Sequence, residues 1–296
     1  MRLDDQRESR NVEDRRYQSG MRGGSFQTIF MLWPLIRILL RTKFGWAIIA
    51  IGVGAYLMGF NPLAILQPGQ SMESRAPSKA DDTQAVFIKK VLASTEDVWS
   101  QLLPKYGYKY QVPVLVLFRG ATQSGCGFAS AQVGPFYCPV DHKIYLDLSF
   151  YDELANRFGA PGDFAQAYVL AHEVGHHVQN IMGILQKVHS LQERAMRSGD
   201  KRAANRLQIP VELQADCFAG VWGHYARKYL EPGDIEEALN AASRIGDDTL
   251  QKETQGYVVP DSFTHGTSKQ RMKWFMRGFD SGDIKQCNTF AEMQSL

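Results

Sequence analysis

Between Phe164 and Ile181 the apolar residues Phe164, Tyr168, Ala171, Val174, Val178 and Ile181 recur at helical spacing, which predicts one helix with a single buried stripe. Asp163 is a credible N-cap for it, and Gln166 three residues on completes a capping box. Gly175 in such a helix costs about 1 kcal/mol against alanine, so it marks a close approach by another backbone or a substrate. Upstream, Ala85 to Leu103 predicts a helix turning Val86, Val91, Leu92, Val98 and Trp99 to the core. Val112 to Phe118 and Lys143 to Leu148 are strand candidates, separated by a glycine-rich excursion from Gly120 to Gly134. Downstream, residues 184–207 read as a solvated helix with a dense charged face. Pro210 fits the first turn of a further helix that is apolar nearly all round; Asp234 to Ile245 and Ser268 to Phe279 are two more. The expected class is α+β, mostly helical, with a small sheet preceding the Phe164–Ile181 helix.

One stretch abandons the amphipathic pattern. Phe44 to Phe60 carries no charge, and apolar Pro62 to Leu66 extends it to the roughly 20 residues that span a bilayer. A cleaved signal peptide has shorter basic and apolar regions, and a core helix shows a polar side. The reading is therefore one transmembrane anchor at 44–66. Ile29 to Leu40 is also apolar, but Pro34 and Arg37 interrupt it, so it reads as interfacial or dipping. Arg37, Arg41 and Lys43 precede the anchor, and no Lys or Arg follows until Arg75. The positive-inside bias then leaves the amino terminus on the cytoplasmic side of a bacterial inner membrane and the rest periplasmic or extracellular. On this reading 1–43 is a cytoplasmic tail and juxtamembrane segment, disordered over its first 25 residues. Residues 67–82 are a linker, and 83–296 the folded domain.

A net charge of +2 with no basic stripe gives no footprint for nucleic acid. The four cysteines, Cys126, Cys138, Cys217 and Cys287, include no close pair of the metal-binding kind. In an oxidising compartment they would form two disulfides, with Cys126–Cys138 a local staple and Cys217–Cys287 a clip on the carboxy-terminal segment. Four buried free thiols are the alternative in a reducing one.

The chemistry begins at His172-Glu173-Val174-Gly175-His176. Residues four apart share a helix face, so both imidazoles can reach one metal, with Glu173 beside the open position to take a proton from activated water. Five residues recur by accident, and a hydrolytic zinc needs a third ligand. Glu212 supplies it, and Asp216 one turn later can accept the N–H of a ligating imidazole. Leu213, Ala215, Phe218, Val221 and Trp222 make that helix apolar nearly all round, so its carboxylates need partners rather than water. Two imidazoles and one carboxylate with an open site favour one Zn2+ per chain. His177, five residues from His172, falls on the wrong face, and His142, His189 and His224 have no ligand-like spacing.

H-E-x-x-H at 172–176 followed by E-x-x-x-D at 212–216 resembles the gluzincin-type metallopeptidases. More narrowly, the chain is similar to a bacterial neutral zinc metallopeptidase family. That likeness extends through Arg7 to Arg16, Gly134 to Pro139 with Tyr145 to Leu148, Thr264 to Ser268 with Arg271, and Gly278-Phe279. The resemblance implies a membrane-anchored, zincin-like peptidase with Glu173 as general base and a peptide or protein as substrate. It also implies that an edge strand receives the substrate in extended form, which makes Gln132 to Tyr137 a cleft rim; an ordinary disulfide-tied loop is the alternative. His265 resembles an oxyanion-stabilising histidine, against a structural role capping the Ser268 helix. Arg271 would support His265 or pair with a cleft carboxylate, and Tyr257 is a weaker candidate. Two rival functions share the site: a zinc-stabilised, membrane-tethered adaptor that cuts nothing, and a zinc amidase acting on cell-wall peptides.

Overall fold

The computed structural model describes residues 1–17, 78–130, 133–255, 257–258 and 263–293. Three parallel strands explain why the predicted β segments alternate poorly. β1 (Val12–Asp14) pairs with β2 (Val114–Phe118), which pairs with β6 (Lys143–Asp147). Parallel strands covered on both faces read as continuous apolar runs, and Leu115 to Phe118 and Ile144 to Leu146 are buried throughout. β5 (Phe136–Cys138) adds antiparallel to β6 and forms the other edge, giving the order β1-β2-β6-β5. The glycine-rich excursion is a separate hairpin of β3 (Ala121–Ser124) and β4 (Gly127–Ser130). Cys126 at its turn is tied to Cys138 on β5, with Cα atoms 5.8 Å apart.

The amino terminus departs from expectation. Met1–Tyr17 belongs to the same compact unit as Pro77–Leu296 and is no disordered tail. Beyond the β1 ladder, the carboxylate of buried Glu96 accepts from Ser9 Oγ at 2.5 Å and Asn11 Nδ2 at 2.8 Å, and pairs with Arg7 at 2.9 Å. The Met1 amino group lies among Asp163 (2.7 Å), Asp234 (3.1 Å) and Glu231 (3.2 Å). A three-residue strand has too little periodicity to announce itself, which is why composition alone suggested disorder. The linker reading is likewise corrected at its end. Ser78 caps α1 (Lys79–Leu102) through a capping box with Asp81, so the helix starts inside the stretch assigned to the linker. α1 buries Ile88, Leu92 and Trp99, and leaves Val86, on the opposite side, 37% exposed.

The helices α2 (Ser149–Asn156), α3 (Asp163–Ile181), α4 (Ile184–Arg197) and α5 (Lys201–Tyr225) follow. After them come α6 (Asp234–Arg244), α7 (Asp247–Gln255), α8 (Ser268–Ser281) and α9 (Thr289–Met293). α3 is buried on nearly every face rather than along one stripe. Its N-cap is Gly162 without a side-chain cap, and the Asp163 carboxylate is engaged by the Met1 amino group. The predicted 184–207 helix breaks at Gly199, whose φ of +81° favours glycine, and Pro210 lies inside α5 rather than at its start. Burial of both flanks of Pro210 outweighs its local cost.

α3 and α5 cross closely because Gly175 permits it: a Cβ there would stand 2.9 Å from the Ala215 carbonyl oxygen. α5 and α8 cross at Gly278, where a Cβ would lie 1.9 Å from the Cys217 carbonyl. Cys217–Cys287 clips the carboxy-terminal segment to α5, with a Cα separation of 5.6 Å. Among the described residues no helix is long and apolar enough to cross a membrane. The expected anchor at 44–66 and the apolar Ile29 to Leu40 lie outside the described residues.

Candidate metal centre

The α3–α5 crossing puts His172 and His176 opposite Glu212. His172 Nε2 is 3.2 Å and His176 Nε2 is 3.5 Å from Glu212 Oε2, and one donor atom from each residue falls within 4.8 Å of the others. The remaining ring nitrogens are engaged. His172 Nδ1 donates to Asp216 Oδ1 at 2.8 Å, and His176 Nδ1 to Gln179 Oε1 at 2.9 Å. On each ring Nε2 is therefore the nitrogen left for the shared point, the one a metal would take. Gln208 Nε2 binds Glu212 Oε1 at 2.7 Å, which leaves Oε2 for the shared point. Two imidazoles and a carboxylate converging with one side open fit a catalytic zinc.

Charge reinforces the geometry. Burial opposes ionisation of Glu212, but the two facing imidazoles outweigh it and hold its pKa well below the usual range. Asp216, fully buried, is pulled down to about 2, burial being outweighed by Arg271 and His172. It accepts from Tyr168 Oη at 2.6 Å and from Arg271 Nε and Nη2 at 2.9 Å each. For Glu173, burial dominates and raises the carboxyl above its ordinary value against the opposing histidines. That direction suits a group that must both take and return a proton.

The groups open onto a cleft of about 1050 Å³ whose walls include Phe136, Tyr137, Phe150, Phe158, Leu185 and Val188. The edge strand β5 and Gly134-Pro135 line it, while Gln132 lies outside the described residues. The same strand that lines the cleft is the one the Cys126–Cys138 bridge ties down. His265 lines the cleft with its side chain half exposed. It is no cap for α8, whose N-cap is Thr267 in a capping box with Gln270. The carboxylate of Asp247 fastens the 264–266 loop, accepting the backbone N–H groups of Thr264, His265 and Gly266 at 2.7, 2.6 and 3.1 Å. Arg271 is buried and pairs with Asp216, so it reaches the site through His172's partner. Tyr257 is 63% exposed and is absent from the cleft wall.

Sequence reading missed four residues. Gln179 and Gln208 stand three and four positions from the ligand each one holds, and Tyr168, four from His172, bonds that ligand's partner Asp216, so helical spacing could have found them. Asp247 had no local signal.

His177 faces away from the centre. Its Nε2 donates to the Gln111 carbonyl at 2.6 Å, and its Nδ1 accepts from Tyr137 Oη at 3.1 Å. Burial lowers its pKa to about 4 from 6.5. Between those values the unfolded chain binds a proton that the folded chain refuses, so this contribution to stability is complete above pH 6.5 and declines as pH falls towards 4. The loss is expected to reach about 3 kcal/mol. Denaturant unfolding at pH 7 and 4.5 would measure it: His177→Gln should lose less stability over this interval than the parent, and equal losses would refute the assignment.

Comparison with known proteins places these residues in context. The model of a family described as "Putative neutral zinc metallopeptidase" matches residues 1–290. "Uncharacterized protein YpfJ" of Escherichia coli (strain K12) is 51% identical, covering 99% of each chain. "Uncharacterized protein Mb2605" of Mycobacterium bovis is 40% identical over 80% of this chain and 85% of its own. No solved structure matches the chain significantly.

Proposed function

Because the chain belongs to that zinc metallopeptidase family, we propose that it is a zinc-dependent peptidase hydrolysing peptide bonds with Glu173 as general base. The observation that carries this reading is the convergence of His172 Nε2, His176 Nε2 and Glu212 Oε2 at one point on the cleft wall, with Glu173 beside them. His172, His176 and Glu212 would hold a zinc ion, which would polarise the scissile carbonyl and lower the pKa of the attacking water towards 7. Glu173 takes the proton from that water and later passes it to the leaving amine. Asp216 and Gln179 keep the two imidazoles aimed, and Gln208 does so for Glu212. With its Nδ1 accepting from Thr264 Oγ1 at 3.0 Å, His265 would have Nε2–H to donate to the developing oxyanion. The aromatic and aliphatic walls favour apolar side chains on either side of the scissile bond.

The domain is proposed to act outside the cytoplasm, anchored to the membrane through the uncharged 44–66 stretch. The two disulfides support this compartment, because such bonds persist where conditions are oxidising. The test is to incubate the detergent-solubilised full-length protein with a mixed peptide library, with and without a chelator. A fragment beginning after the linker would lack β1 and the contacts to Glu96, so the full chain is required. Cleavage that disappears with chelator and returns with added zinc is expected. Chelator-independent cleavage, or no cleavage, would count against the peptidase; activity confined to cell-wall peptides would favour the amidase.

A further inference from the structure

The face of α4 that lines the metal cleft continues past it. Leu185, Val188, His189 and Gln192 border the cleft, and His189, Gln192, Met196 and Arg197 border a second depression of about 570 Å³. These positions recur at three- and four-residue spacing, so they form one stripe along the helix. The facing helix α5 repeats the succession: Glu212 and Gln208 lie at the cleft, then Gln208, Asn205 and Ala204 at the depression. Thr264, beside His265, borders it as well. His189, Gln192 and Gln208 belong to both hollows, which makes the second a continuation of the first rather than a separate cavity.

The junction between them is built of amides. Gln192 Nε2 donates to Gln208 Oε1 at 3.1 Å and to the Ala204 carbonyl at 3.3 Å, while Gln208 Nε2 holds Glu212 Oε1 at 2.7 Å. Beyond the junction Glu193 pairs with Arg197 at 3.1 Å, and His189 lies 3.1 Å from Glu193 on the other side. The two full charges on this rim therefore cancel and select no ionic ligand. Met196 is 52% exposed, an unbranched apolar side chain that adapts to many surfaces. Asn205 adds amide donors and an acceptor on the facing wall. Amides and one flexible apolar side chain suit the main chain of an extended polypeptide and are indifferent to its sequence.

Distance from the metal ligands sets which part of a substrate reaches the depression. Asn205 precedes Glu212 by two helical turns, about 10 Å along α5, which an extended chain covers in about three residues. We propose that the depression is a distal substrate subsite, gripping the main chain of an extended polypeptide about three residues from the scissile bond and on one side of it only. The occupant follows from the peptidase reading; the continuity of the two hollows stands without it. Short peptides fill the cleft alone, whereas longer chains are held at both places. The preferred substrate is then an unfolded stretch of polypeptide rather than a di- or tripeptide.

The experiment uses the full-length, zinc-loaded protein in detergent. Its probes are a blocked apolar tetrapeptide and the same peptide lengthened by four alanines at its amino end or at its carboxy end. One of the two extensions should raise kcat/KM about tenfold, through KM. Asn205→Trp fills the depression and should cut that advantage to about twofold. The ratio of long to short substrate is internal to each enzyme, so a partly folded variant does not mimic the loss. Zinc-loaded Glu173→Gln supplies a readout besides activity: by fluorescence anisotropy the favoured long peptide should bind about tenfold tighter than the short one, and Asn205→Trp in that background should erase the difference. An advantage untouched by Asn205→Trp, or no advantage from either extension, would overturn the subsite and leave the peptidase standing. Length-dependent binding that Asn205→Trp abolishes, with no cleavage by the parent, would uphold the subsite and overturn the peptidase. Neither binding nor cleavage of any probe would overturn both.

Discussion

Glu173→Gln is expected to reduce peptide hydrolysis by about 10²- to 10⁴-fold while leaving zinc content unchanged. The amide keeps the volume of the carboxyl but cannot accept a proton. Glu173 lies outside the ligand set of His172, His176 and Glu212, so metal loading has no reason to fall. Zinc stoichiometry and kcat/KM on a peptide identified from the library are the two readouts. Glu212→Ala should behave oppositely, losing the metal and the activity together. Since burial raises the Glu173 carboxyl, the acid limb of kcat/KM should rise at a pH above the ordinary carboxylate range, activity appearing as the base ionises. Full activity in Glu173→Gln would remove the general-base role.

Asp216→Asn carries the second large effect, and on stability rather than chemistry alone. Asp216 is fully buried and accepts from Tyr168, His172 and both sides of the Arg271 fork. Asparagine leaves the Arg271 guanidinium buried without its counter-charge, which costs about 3–5 kcal/mol. It also frees the His172 ring, which should weaken zinc binding by about 10- to 100-fold. Urea unfolding and competition with a zinc chelator would separate the two losses. Adding Arg271→Met removes the orphaned charge and should recover much of the stability without recovering zinc affinity. If the double variant regained both, Asp216 would be a structural partner of Arg271 and no positioning group for His172.

Those two residues show how far the local pattern reaches. Spacing of four on a helix placed His172 and His176 on one face, and the same rule placed Asp216 one turn from Glu212. That Glu212 belongs with the histidines follows from an apolar helix having no solvent to offer a carboxylate. From sequence Arg271 read as a support for His265 or a partner of a cleft carboxylate, with nothing to choose between them. Packing α8 against α5, at Gly278, decides for the carboxylate and brings it to Asp216. The His265 loop depends on Asp247, a contact between segments that no periodic signal connects.

The sequence by itself determined the mostly helical α+β class and the candidate ligand set of His172, His176 and Glu212, because both rest on short-range periodicity and donor chemistry; paired and free cysteines stayed open until the structure paired them. Only the tertiary structure decided the extent of α3 burial, the continuity of α5 through Pro210, and the recruitment of residues 1–17 into the sheet. A three-residue parallel strand is specified by its partner a hundred positions away, since ladder hydrogen bonds and the burial of Glu96 exist only after folding. That long-range pairing turns a tail into part of the domain.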